Sequence, residues 1–441
     1  MDIAFQEKKA AAPVSQQERI VLLDSLRGIA ILGILLMNIP GFGLPAPACY
    51  GDLAVMNEIG TINAKTWFAI DWVLEGSQRA LFSMLFGAGM ILFLSRQEKR
   101  ADGLWPADYF FRRQLWLLVF GLFNAFVLLW FWDILFHYAC CGMILFAFRR
   151  YSSKALLIAA GICLLLMTLR ENTDFYREKA MIHKGELVAQ IDTAKTKLTS
   201  AQQEELGAMT GFKEKNSVES RKKEMEKSLQ SVRGDYATFY KYQSERSYYM
   251  ETMFFYNGIW DLLLFMFIGM AFYKNGVLTG NASIKVYWLL FIVGLGAGLV
   301  MSWFRLQPLV EHQFNRFTYT KAVSFEFYEI SRTFRALGIF GLIMLLYKSG
   351  WFKWLFALMR PVGQMAFTNY LMQSLLVGLF FYGVGFGYFG KLERHQIYYV
   401  VAATWLLQII WSHIWLRYFR FGPLEWAWRS LTYWKKQPLM K

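Results

Sequence analysis

Signatures of metal binding, disulfide bonding and common catalysis are scarce in this chain. Its 441 residues include four cysteines and five histidines. Cys140, Cys141 and Cys163 fall in apolar runs and Cys49 stands alone, so no disulfide framework is laid out. The adjacent Cys140-Cys141 lacks the spacing of a zinc site, and no second Cys/His pair supports one; no metal is expected. There is no Gly-x-x-x-x-Gly-Lys phosphate loop, no His-Glu-x-x-His and no Gly-x-Ser-x-Gly elbow. The glycine-dense stretch from Tyr382 to Gly390 follows no strand and reads as a loop at a membrane edge. The first 19 residues are polar with no apolar core, so a cleavable signal is not expected.

Apolar sequence, by contrast, is abundant: 56% of residues are hydrophobic, 18% are aromatic, and mean hydropathy is +0.28. Apolar runs of bilayer-spanning length, about 20 residues, fall at roughly 20–40, 66–95, 114–131, 133–149, 154–170, 251–273, 283–305, 327–347, 362–383 and 396–417. The reading is an all-α integral membrane protein of about ten transmembrane helices. Its expected layout is a tail at 1–19, membrane helices at 20–170, a polar insert at 171–250, further membrane helices at 251–417 and an interfacial helix at 418–441. A net charge of +15 is compatible with nucleic-acid binding, but its distribution points to topology. With the amino terminus inside, cytoplasmic segments hold 22 Lys and Arg against five in the short outer loops, which places both termini in the cytoplasm. The expected partners are the bilayer and a small or lipid-like molecule, not a nucleic acid.

The 171–250 insert has 14 basic and 13 acidic residues and no proline, a balance that favours solvated helices with i,i+4 ion pairs. Gly207 and Gly211 predict a turn between two arms. The expectation is an extracytoplasmic helical hairpin that packs on itself or on a second subunit of a homodimer. The carboxyl end from Arg417 to Lys436 mixes aromatics with cations, the pattern of an interfacial amphipathic helix, with Pro423 in its first turn.

Charged residues inside apolar helices persist where they are paired or face a polar interior. Asp24 and Arg27 share one face of the first helix, and Asn38 falls on the same stripe roughly 21 Å along. On the second run Asp71, Glu75, Arg79, Ser83 and Gly87 recur every four residues, with Glu75–Arg79 in the favourable ion-pair order. Below them Leu81–Gly89 offers small residues for close helix approach. Asn124, Asp133 and His137 form another polar set. Asp133 and His137, i and i+4, are the candidate catalytic acid–imidazole pair, with helix capping the alternative for Asp133. Glu326, Glu329, Arg332 and Arg335 predict Glu329–Arg332 and Glu326–Arg335 pairs. Thr368, Asn369 and Gln373 supply hydrogen-bonding groups inside the ninth run.

Three stretches together resemble the YeiB-like family of bacterial multi-pass membrane proteins of unknown function. They are Leu23-Asp24-Ser-Leu-Arg27-Gly28 continuing to Gly33 and Asn38, Leu81-Phe82-Ser83-Met84-Leu85-Phe86-Gly87-Ala88-Gly89, and a carboxyl-terminal block. That block contains Ala366-Phe-Thr368-Asn369-Tyr370-Leu-Met-Gln373 and Ile414-Trp415 through Gly422-Pro423-Leu-Glu425-Trp426. Trp132-Asp133-Ile134-Leu135 and Glu329-Ile-Ser331 add to the match. The resemblance implies a location in the bacterial inner membrane. It also implies a distant likeness to membrane acyltransferases through the Asp-x-x-Arg-Gly helix, and hence an acyltransferase-like bundle. In many such enzymes a histidine follows that arginine by eleven positions; here Asn38 stands there. The YeiB-like family often has histidine in Gly-Leu-x-His of its third span; here Asn124 replaces it.

Two functions stay open. One is transfer of an acyl group from a cytoplasmic donor, acyl-coenzyme A being a candidate, to an extracytoplasmic acceptor. Arg27 would then meet the donor's anion, and Asn38 or Asn124 would bond a carbonyl. The other is a non-enzymatic transporter or conduit for an amphipathic or anionic molecule, lined by the charged stripes. No cofactor is evident in either reading. Asp24, Arg27, Asn38, Asp71, Glu75, Arg79, Asn124, Glu329, Arg332, Asn369 and Gln373 are the candidate binding or cavity residues.

Overall fold

Each apolar run contains helix, and no strand occurs among the described residues. The structure, a computed structural model, describes residues 20–100 and 103–441. The expected tail at 1–19 lies outside the described residues. The first run is α1 (Val21–Gly43). The second run divides into α2 (Ile62–Leu74) and α3 (Ser77–Arg100) at Glu75-Gly76. Gly76 takes φ +70° there, and a Cβ on it would lie 2.1 Å from Arg332 Cδ. Conformation and space both demand glycine, so the expected single stripe from Asp71 to Gly87 is bent after its second member.

The third and fourth runs are separate helices, α4 (Trp105–Phe126) and α5 (Leu135–Leu145). The fifth, α6 (Ser153–Ala189), continues far past its apolar half into the insert. Three more helices complete the insert: α7 (Ser200–Lys215), α8 (Val218–Arg233) and α9 (Tyr236–Tyr249). Thr199, Ser217 and Asp235 open them, their side chains accepting from the amides of Gln202, Ser220 and Thr238. The turn expected at Gly207 and Gly211 is absent, because both lie inside α7. One glycine costs a helix only about 1 kcal/mol, and the capping residues set the reversals instead.

The insert is also not a free-standing hairpin. It folds back over the end of the bundle where α1 terminates. Arg221 pairs with Asp52, both buried, and Ala46 N donates to Ser228 Oγ at 3.1 Å. Gln243 Nε2 donates to Leu129 O and to Tyr382 OH, each at 3.2 Å, and Ser247 Oγ donates to Ala125 O at 2.8 Å. The Arg246 guanidinium lies 3.5 Å from the Phe131 ring centre. Polar composition that reads as solvation is here used in docking.

A π-helical turn, Met250–Phe254, leads into α10 (Phe255–Lys274), bent by 63° from the helix before it. Then come α11 (Ile284–Leu289), a second π-helical turn and α12 (Gly296–Glu311), together one long rod. The rest are α13 (Arg316–Ala322), α14 (Tyr328–Ser349), α15 (Lys353–Gln364), α16 (Ala366–Phe381), α17 (Ile397–Tyr418) and α18 (Pro423–Tyr433). The run at 362–383 is therefore divided between α15 and α16. Six helical stretches among the described residues are long and apolar enough to cross a membrane, or seven if the bent pair counts as one span. The fourth and ninth runs supply only shorter apolar helices, Leu135–Phe148 and Ala366–Phe381.

Helix α1 is central, touching α3, α15, α16 and α17. Its approach to α15 is close: a Cβ on Gly28 would sit 2.1 Å from Met359 O, and one on Gly363 would sit 1.7 Å from Asp24 O. The Leu81–Gly89 stretch behaves as its small residues imply. Gly87 of α3 and Gly269 of α10 each face a carbonyl of the other helix, those of Met266 and Met84.

Candidate functional site

A cavity of about 270 Å³ opens beside the start of α1. Helices α1, α3, α4, α5, α15, α16 and α18 supply its walls. Phe82, Phe86, Phe93, Phe110 and Leu117 make most of it apolar, and four arginines line it as well: Arg27, Arg96, Arg113 and Arg429. Its two carboxylates, Asp24 and Glu425, both have partners. Arg27 Nη1 donates to Asp24 Oδ1 at 2.9 Å, and Gln364 Nε2 donates to Asp24 Oδ2 at 3.3 Å. Glu425 spans the first turn of α16. Its Oε1 accepts from the amides of Phe367 (2.8 Å) and Thr368 (3.0 Å), and its Oε2 accepts from Thr368 Oγ1 at 2.5 Å. These three bonds tie α18 to the bundle. Burial pushes the Glu425 carboxyl above its ordinary range, with the Thr368 hydroxyl drawing it back.

Arg113 differs from Arg27, which pairs with Asp24. Its guanidinium lies 3.6 Å from the Trp428 ring centre, and no carboxylate pairs with it among the described residues. Trp428 Nε1 donates to Arg113 O at 2.9 Å, fixing both residues. The arrangement is an apolar slot under a surplus of fixed positive charge, suited to an anion with a hydrophobic tail.

Of the sequence-derived residues, Asp24 and Arg27 line this cavity, whereas Asn38, further along α1, does not. Two tyrosines lead away from its walls. Tyr138 OH is 2.7 Å from Ser83 Oγ. Tyr370 OH donates to Asp133 Oδ1 at 3.4 Å and accepts from Ile134 N at 3.2 Å.

Asp133 and His137 do adjoin, but not as a carboxylate–imidazole pair. Asp133 Oδ1 accepts from Asn124 Nδ2 at 2.7 Å, and its Oδ2 accepts from Phe136 N at 2.9 Å in the first turn of α5. His137 Nδ1 lies 3.1 Å from the Asp133 carbonyl instead, and Nε2 lies 3.2 Å from Met250 O. The carboxylate facing the ring is that of Glu251, with Oε2 at 3.4 Å from Nδ1. Spacing along one helix cannot reveal a partner that arrives 114 residues later.

The other charged candidates gather into one network, buried at Asp261, Arg332 and Arg335 and half-buried elsewhere. Arg79 and Arg332 each lie 2.7 Å from Asp261, and Arg332 also pairs with Glu329. Arg305 pairs with Asp71, and Arg335 with Glu75 at 3.3 Å, while Tyr328 OH donates to Glu75 Oε1 at 2.8 Å. Glu75–Arg79 and Glu326–Arg335 were both expected and neither forms. The break at Gly76 redirects Glu75 to α14, and Glu326 instead pairs with Arg316 and accepts from Tyr319. Four acids meet four arginines, so the network is balanced and offers little net field to a ligand. Asp261 and Arg305 were missed although each is a charge set in an apolar run.

Asn369 and Gln373 cross-link helices. Asn369 Nδ2 donates to Val362 O and Ser412 Oγ, and its Oδ1 accepts from Trp411 Nε1. Gln373 Nε2 donates to Ile31 O and Gln408 Oε1.

Fold and site together define a helical membrane protein with an arginine-lined apolar cavity. Comparison with known proteins supplies its family. Residues 272–435 match the family described as "Protein of unknown function (DUF418)". The chain is 30% identical to "Uncharacterized protein YeiB" of Escherichia coli (strain K12), over 94% of this chain and 96% of that one. It is 29% identical to "Uncharacterized protein YxaH" of Bacillus subtilis (strain 168), over 97% and 98% respectively. The chain belongs to this YeiB-like family of unknown function. No solved structure matches it. These relatives are uncharacterised, so they lend no support to the acyltransferase likeness or to transport.

Proposed function

We propose that the cavity binds an amphipathic anion, its aliphatic chain between α3 and α4 and its phosphate-bearing head group against the arginines. The observation that carries this is Arg113, stacked on Trp428 and paired with no carboxylate among the described residues, beside three further arginines at an apolar slot. Ligand pockets commonly measure about 300–1,000 Å³. This one, near 270 Å³, fits a single chain better than a whole two-chain lipid. The excess of Lys and Arg in the segments at this end supports placing it, with both termini, on the cytoplasmic side of a bacterial inner membrane. A cytoplasmic acyl thioester such as acyl-coenzyme A has the required chemistry.

We infer acyl transfer as the reaction. The thioester C–S bond would break, the acyl carbon would bond an acceptor oxygen or nitrogen, and the acceptor's proton would end on the thiol. Tyr370, in the cavity wall and bonded to Asp133, is the residue best placed to pass that proton. Passage of the same anion without covalent change is the competing reading, and it shares the cavity. Purified protein in lipid nanodiscs, titrated with long-chain acyl-coenzyme A, should bind saturably and release free coenzyme A when an acceptor is present. Saturable binding with no thiol released, together with flux in proteoliposomes, would favour passage. No saturable binding at all would remove both readings.

A further inference from the structure

A second buried polar site lies apart from the cavity, where α9 meets α10. Glu251 is only 5% exposed, and neither of its carboxylate oxygens accepts a hydrogen bond among the described residues. It stands on the π-helical turn that precedes the 63° bend. Turns of this kind recur at functional sites, and interrupted helices in membrane proteins place polar groups at ion pathways. An ionised carboxylate without donors is costly in such a place, so it must either hold a proton or face a cation.

His137 is the group that answers. Its Nδ1 lies 3.4 Å from Glu251 Oε2, while Asp133 O and Met250 O lie 3.1 and 3.2 Å from its two ring nitrogens. A backbone carbonyl can only accept, so two carbonyls around one imidazole favour a hydrogen on each nitrogen. That imidazolium needs a counter-charge, which Glu251 provides. The alternative arrangement, neutral imidazole beside Glu251 in its acid form, has the same net charge and the same proton count. Removal of one proton leaves a lone buried carboxylate.

We propose that His137 and Glu251 form a proton-binding site: a neutral buried pair that holds one exchangeable proton, moving between Glu251 Oε2 and His137 Nδ1. The titratable and charged groups around it are Asp133 and Cys140 on the α5 side, Tyr370 on α16 and Arg79 on α3. Arg79 is held by Asp261, and Asp133 accepts from Asn124. The site does not depend on what fills the cavity.

The test is carboxyl labelling of the full chain in liposomes with dicyclohexylcarbodiimide, a membrane-soluble reagent that requires a protonated acid. Adducts are mapped by mass spectrometry from pH 5 to 9. The proposal predicts an adduct on Glu251 whose yield falls as pH rises. His137→Gln, which removes the shared-proton partner and the cationic form, should move the midpoint upward by about one pH unit or more. His137→Asn serves as a second variant should the first fold poorly. A Glu251 peptide left unmodified at every pH in wild type would overturn the proposal. So would a midpoint that stays in place in both variants.

Discussion

The guanidinium of Arg113 lies 3.6 Å from the ring centre of Trp428, and the indole Nε1 of Trp428 donates back to the Arg113 carbonyl at 2.9 Å. This reciprocal contact joins α4 to the carboxyl-terminal α18 and holds one rim arginine rigid while its charge remains available. Anchoring and recognition thus share one residue pair.

Trp428→Phe keeps an aromatic face but removes the N–H donor. It should weaken acyl-anion binding only a few-fold, whereas Trp428→Ala should weaken it about tenfold or more, since a partly desolvated cation–π contact is worth about 1–2 kcal/mol. Titration calorimetry of both variants measures the difference, and equal effects would place the energy in the hydrogen bond.

Glu425 gives α18 docking a pH dependence of defined sign. Burial raises its folded value above the ordinary 4.5, so the folded chain binds this proton more readily than the unfolded chain. The stability it confers is complete below the unfolded value and is lost as pH rises through the folded one. Hydrogen exchange of α18 amides, corrected for intrinsic rates, should show opening that grows upward from about pH 4.5. Glu425→Gln should flatten that slope.

The balanced network on α2, α3, α10, α12 and α14 predicts an asymmetric response. Arg332→Met alone leaves Asp261 and Glu329 short of a partner and should destabilise by about 3–5 kcal/mol, the usual cost of breaking a buried pair. Adding Asp261→Asn should recover part of that loss. Thermal unfolding in detergent measures both, and a double variant no better than the single would contradict the pairing.

Gly363 tests the closest helix approach. Gly363→Ala places a methyl group 1.7 Å from Asp24 O, so α15 must retreat from α1. The expected cost is about 1–3 kcal/mol. A lowered melting temperature together with weaker ligand binding is predicted, because Asp24 and Arg27 sit on the displaced turn.

Much of this was legible in sequence because it depends on local pattern. Apolar runs marked where helix occurs, and the small residues of Leu81–Gly89 announced close packing, whereas the caps at Thr199, Ser217 and Asp235 went unread. Asp24 and Arg27 line a cavity, whereas Asn38 of the same stripe does not. What local pattern could not supply was the third dimension. Gly76 reads as an ordinary residue in an apolar run until Arg332 is seen against it, and that break sends Glu75 away from Arg79. His137 looks paired with Asp133 by spacing, yet its carboxylate neighbour, Glu251, comes from a distant helix. Arg113 and Arg429 read as topology signals, being cations flanking apolar runs. Only the fold brings them to the same slot.

The most direct test of the central claim is to locate the chain and head group of a bound ligand. Purified protein in nanodiscs should be photolysed with an acyl-coenzyme A carrying a diazirine midway along its chain, and the adducts mapped by mass spectrometry. The account predicts adducts on the α3 and α4 wall, among Phe82, Phe86, Phe93 and Leu117, reduced about tenfold or more by Arg113→Ala, the scale of one lost charged contact. Adducts confined to outward-facing side chains such as Leu157 and Leu165, unchanged by Arg113→Ala, would contradict it.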